Sequence, residues 1–93
     1  MSTFVKDPDA RLDFAIDWTP FLGTDTLDTV EWLDPTPETD PPLVIEDEGL
    51  DGNIHVAFVS GGQVNRAYRV TSRATTAEGR IQDESLTITV TET

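Results

Sequence analysis

The pattern of apolar and polar positions has a period of two almost wherever it can be read, which predicts strands. Leu12, Phe14, Ile16 and Trp18 alternate with Arg11, Asp13, Ala15 and Asp17, a strand with one buried face. Residues 19–23 turn the chain, because Pro20 cannot donate to a ladder and Gly23 accepts unusual dihedrals. Residues 27–33 read as a second strand, with Val30 and Trp32 on one side and Thr29 and Glu31 on the other. The next segment, 34–42, holds four prolines in nine residues and predicts an extended loop. A short strand over 43–46 follows, then a polar turn over 47–52.

The last forty residues are clearest. Ile54, Val56 and Phe58 alternate with His55, Ala57 and Val59, and Ser60-Gly61-Gly62 ends the run. His55 falls opposite Ile54, Val56 and Phe58, where a lone strand histidine is usually surface decoration or half-buried packing. Tyr68, Val70, Ser72 and Ala74 share one face, and Arg69, Thr71, Arg73 and Thr75 the other. Thr76-Ala77-Glu78-Gly79 predicts a hairpin loop with glycine at a left-handed position. In the final strand Leu86, Ile88 and Val90 face in, while Thr87, Thr89 and Thr91 face out. The fourteen threonines suit pleated, half-exposed surfaces. Six or seven antiparallel strands with turns between them predict an all-β sandwich of immunoglobulin or fibronectin type, with an open barrel as the alternative. Tyr68, opening a strand just after a glycine-containing loop, fits the tyrosine corner of such domains. Residues 1–10 read as an N-terminal arm and 11–93 as one domain.

Composition bounds the rest. At 93 residues there is room for one small domain, and Val, Ile, Leu and Phe number 24, enough for a core. Eighteen acids against six bases give a net charge of −12, which disfavours nucleic acid and anionic lipid as partners. The charge is uneven: residues 1–65 carry all of the excess, and residues 66–93 hold four acids and four bases. The absence of cysteine removes disulfides, thiolate catalysis and cysteine metal sites. The N-terminus has no apolar run of signal-peptide length, and no stretch is long enough to span a bilayer, so synthesis and folding in a cytoplasm are expected.

No catalytic or cofactor site emerges. Asp13 and Asp17, four apart on a strand, are separated by about 13 Å, beyond the span glycoside hydrolysis uses. Glu46 and Glu48 are closer, with nothing marking a cleft around them. The acidic run 46–53 offers oxygens for calcium but lacks the EF-hand spacing, and an acidic turn between strands is the commoner origin of such a run. His55 is the only imidazole, and none of the four serines sits in a nucleophile elbow. Ser60-Gly61-Gly62 lacks the Lys-Ser/Thr of a phosphate loop. Trp18 and Trp32 are core candidates; a sugar-stacking role would require them exposed.

What remains is protein contact. Phe21 and Leu22, in a Pro/Gly turn, and Phe4 and Val5, on the arm, are apolar where no pattern dictates burial, as docking residues often are. Arg69 and Arg73 face the same way and suit bidentate contacts with carboxylates, either the domain's own or a partner's.

The order of features along the chain also resembles a known family. Lys6-Asp7-Pro8 opens an alternating strand that ends in Asp17-Trp18; Leu22-Gly23 follows, then a strand with Trp32. Ser60-Gly61-Gly62, the Tyr68 strand, the hairpin from Thr75-Thr76 to Gly79-Arg80 and the threonine-rich last strand complete the series. Together they resemble the fibre–tail adaptor family of tailed phages, from which the Pro-rich loop and the extreme acidity look like departures. The resemblance implies a structural virion protein with an immunoglobulin-like fold, assembled in the host cytoplasm and present in several copies. Its partners would be other virion proteins (tail tube, nozzle, collar or fibre), with no catalytic residues, cofactor or metal. Capsid decoration and a carbohydrate-binding or adhesive module are the alternatives.

Overall fold

A computed structural model describes residues 2–92. Seven strands and one helical turn follow each other: β1 (Ser2–Lys6), β2 (Leu12–Asp17), α1 (Thr19–Leu22), β3 (Leu27–Trp32), β4 (Leu43–Asp51), β5 (Ile54–Gly61), β6 (Arg66–Thr76) and β7 (Ile81–Val90). They form two sheets, one ordered β1-β7-β6-β3 and the other β2-β5-β4. The all-β sandwich expected from the alternation is what forms. With β2-β5-β4 facing β7-β6-β3, six strands occupy the places of an immunoglobulin domain. One pair departs from the expected antiparallel scheme: β1 runs parallel to β7, from Ser2 opposite Leu86 to Lys6 opposite Val90. Residues 2–6, expected as an arm, are thus an edge strand of the larger sheet.

Other differences are local. Asp47 takes a positive φ of 51°. The backbone slips register between Glu46 and Gly49, and pairing with β5 then resumes to Asp51 opposite Ile54. The polar run expected as a turn is therefore a bulge inside one long strand, which absorbs residues that alternation cannot place. At 34–42 the chain is the expected irregular loop, with cis bonds before Pro37 and Pro41.

The core lies between the sheets. Phe14, Leu43 and Val59 from one meet Tyr68, Val70, Leu86, Ile88 and Val90 from the other. A smaller cluster at one end holds Trp18, Leu22 and Ala74. The Tyr68 hydroxyl accepts the backbone N–H of Gln63 at 2.7 Å, the tyrosine corner. Gly62, at φ 92°, is fixed beside it: a Cβ there would stand 2.9 Å from Val90 Cγ2 and 3.3 Å from the Tyr68 ring.

The central strand of the smaller sheet is oriented opposite to expectation. His55, Ala57 and Val59 are buried, whereas Ile54 is exposed and Val56 and Phe58 are half-buried. His55 is accepted inside because its polar atoms are matched. Its Nδ1 lies 2.7 Å from Ser72 Oγ, and its Nε2 lies 3.4 Å from Glu48 Oε1. Trp32 stacks on the ring at 4.6 Å, and Trp18 Nε1 donates to the same Ser72 Oγ at 3.2 Å. With the indole donating to Oγ, the serine proton is directed to Nδ1. His55 is then neutral, with its own proton on Nε2 facing Glu48. Burial lowers the His55 pKa, and Glu48 opposes that shift.

Candidate protein-interaction site

The site is assembled where β1 stops short. Because Ser2 pairs with Leu86, residues 81–85 of β7 extend past β1 and have no strand on that edge among the described residues. Across the sandwich, β2 is the terminal strand of its sheet, so its outer edge too is unpaired among the described residues. Between these two edges lies a cleft of about 320 Å³. Phe4, Ile16, Phe21 and Leu86 supply apolar walls, and Asp17 and Glu84 stand at its margins. Phe4 meets Phe14 edge to face at 5.1 Å, so β1 is anchored from within while Phe4 as a residue stays 39% exposed.

Local chemistry holds the lip. Asp17 Oδ1 accepts the backbone N–H of Thr19 at 3.0 Å, which lowers the Asp17 pKa and ties the end of β2 to the first residue of the helical turn. That turn sets Phe21 against Trp18, edge to face at 5.6 Å, under the Arg80 guanidinium at 4.5 Å. Arg80 also donates to the Leu22 carbonyl and to Asp25, whose side chain is buried. The Asp25 pKa is lowered, first by Thr76, with the N–H of Thr26 and Arg80 adding to it.

The structure therefore joins two of the residues singled out from sequence, Phe4 and Phe21, in one cleft. The others lie apart. Leu22, expected among the exposed apolar residues of the turn, is 4% exposed, because α1 rotates it into the Trp18 cluster. Val5 alternates to the outer face of the larger sheet, opposite Thr89, and is 58% exposed. Arg73 is engaged with Asp83 on the neighbouring strand through two parallel bonds of 2.8 and 3.0 Å. Arg69 is exposed beside the loop, where its backbone exchanges hydrogen bonds with Thr36, and no ion pair among the described residues holds its side chain.

Two features escaped sequence reasoning. Lys6 is buried, its Nζ donating to the carbonyls of Asp7 at 2.7 Å and Gly61 at 2.9 Å. Burial lowers its pKa, opposed by Asp7 and Asp9. The cleft itself depends on which strand edges become neighbours, and alternation carries no signal for that. Trp18 is fully buried and Trp32 is covered by His55, so neither tryptophan forms an open stacking platform. Among the described residues no group of three or more His, Asp or Glu side chains is placed to hold a metal ion.

A family model described as podophage GP4 fiber-tail adaptor protein gp77 matches residues 6–89, nearly the whole chain. The chain belongs to this family. Of the three roles weighed from the sequence, the adaptor's is the structural one at the tail and its fibres, as a component of the virion that binds other tail and fibre proteins. No curated protein matched the adaptor.

Proposed function

We propose that the adaptor works without catalysis, by receiving an extended segment of a tail or fibre protein in the cleft between β2 and β7. The supporting observation is the cleft's construction: two unpaired strand edges flank a lining of Phe4, Ile16, Phe21 and Leu86. An incoming strand would satisfy the open N–H and C=O groups of an edge, while its side chains use the apolar walls for selectivity. Arg69, which has no ion pair among the described residues, supplies a contact for a partner carboxylate, whereas Arg73 is spent on Asp83. Assembly takes place in the host cytoplasm with several copies per particle. The net charge of −12 turns the adaptor away from nucleic acid and anionic membranes.

Cryo-electron microscopy of the particle that encodes the chain, with copy number from mass spectrometry, tests this. A strand of another virion protein should fill the cleft, and a Phe4→Ser/Phe21→Ser variant that still melts cooperatively should be lost from the tail. A solvent-filled cleft with the adaptor in place, or normal incorporation of the folded variant, would sink the assignment.

A further inference from the structure

An adaptor must hold two partners, and a second surface lies on the outer face of the β2-β5-β4 sheet. Along its central strand Ile54, Val56 and Phe58 point outward, while Ala57 and Val59 on the same strand point into the core. An antiparallel sheet with one solvated face shows apolar and polar residues in alternation, whereas a strand apolar on both faces is one covered on both. The flanking strands frame this stripe with carboxylates. Ile54 lies between Asp17 of β2 and Asp51 of β4, and Phe58 between Asp13 and Glu46. Beside Val56 stand only Ala15 and Gly49, which leave the middle of the frame shallow.

Arg11 shows what chemistry this frame takes. Its guanidinium sits 4.3 Å above the Phe58 ring and pairs with Glu46 and Asp47, so one corner is already filled by the chain's own cation. Among the described residues Asp13 and Asp51 have no ion pair, and Asp17 bonds the start of the helical turn.

We propose that this face is a second docking surface, which takes a protein partner whose apolar ridge is bordered on both sides by Lys and Arg. The assignment rests on the adaptor reading and supplies its other contact. A second copy of the chain would bring carboxylates against carboxylates, and an anionic bilayer would be repelled, so the rim selects a basic partner.

The test adds purified adaptor to tails of the encoding phage prepared without it and measures the adaptor retained. Ile54→Thr/Val56→Thr/Phe58→Thr strips the ridge while keeping β-branched residues on the strand. Asp13→Asn/Asp51→Asn removes rim charge at both ends of the ridge and leaves Asp17, which also borders the cleft, unchanged. Circular dichroism and melting identify the variants that remain folded. Retention should fall at least about tenfold for the threonine variant. The asparagine variant should also be retained less, and its binding should lose the salt dependence seen with the native chain. Native retention by both folded variants would overturn the proposal. So would a native dimer abolished by the threonine changes, since the occupant would then be a second copy. Failure of the native chain itself to be retained would instead refute the adaptor reading.

Discussion

Ser72→Ala removes the hydroxyl at the centre of the buried network between the sheets, and its cost follows from the geometry. Ser72 Oγ is the partner of Trp18 Nε1 at 3.2 Å and of His55 Nδ1 at 2.7 Å, and all three residues are fully buried. Alanine fits the space but leaves an indole N–H and an imidazole nitrogen without partners. A buried polar group left unsatisfied costs about 1–3 kcal/mol, so two cost about 2–6 kcal/mol, and about 3 kcal/mol is expected after local relaxation. For a domain of this size each kcal/mol moves the melting temperature by about 4–8 °C. The variant should therefore melt about 12–24 °C below the native chain by circular dichroism at neutral pH. Trp18→Phe, which removes one donor, should show coupling when combined with Ser72→Ala, the double change costing less than the sum. A Ser72→Ala melting temperature within about 3 °C of native would refute the shared-hydroxyl account, because the two nitrogens would then have other partners.

Three further outcomes are expected. The folded His55 pKa is lowered, so the unfolded chain binds the extra proton first; this contribution to stability is complete above the unfolded value of about 6.5 and is lost as pH falls below it, which urea midpoints between pH 8 and 5 would reveal. His55→Gln should flatten that part of the profile. Gly62→Ala, with φ at 92° and a Cβ 2.9 Å from Val90 Cγ2, should cost about 2–4 kcal/mol in urea unfolding, from left-handed strain plus overpacking. Arg73→Ala, by contrast, breaks an exposed pair with Asp83, and its melting curve should overlay the native one at physiological salt.

How far the sequence could be read depended on whether one face of a strand was plainly polar. In β6 the buried set Tyr68, Val70, Ser72 and Ala74 alternates with Arg69, Thr71, Arg73 and Thr75, and the assignment was unambiguous. In β5 the run 54–59 is apolar on both faces, so the one polar residue of that run, His55, pointed to the wrong side. Its burial depends on Ser72, seventeen residues away, and on Glu48 and Trp32, none visible in a local window. The continuation of β4 past Glu46 was hidden by the bulge at Asp47 and Glu48. The pairing of β1 with β7 joins the two ends of the chain, a contact that no local pattern specifies. The cleft inherits that difficulty. Phe4 and Phe21 could be named as apolar residues without a pattern, but their meeting follows from the topology. Leu22 differs from Phe21 only by its place on a single helical turn.

The parallel pairing of β1 with β7 also has a mechanical consequence. The chain enters at the Ser2 end of β1 and leaves past Val90, the far end of its neighbour. Tension between the two ends would therefore slide the strands lengthwise and load every rung from Ser2 to Lys6 together, instead of unzipping them one by one. At the Lys6 end the slide meets further resistance from the ammonium bonds to the Asp7 and Gly61 carbonyls and from the Thr91 amide donating to the Lys6 carbonyl at 2.9 Å. Force applied sideways at Ser2 would peel the same strand with little resistance. The direction from which a fibre pulls thus decides whether the domain behaves as a strong link or a weak one.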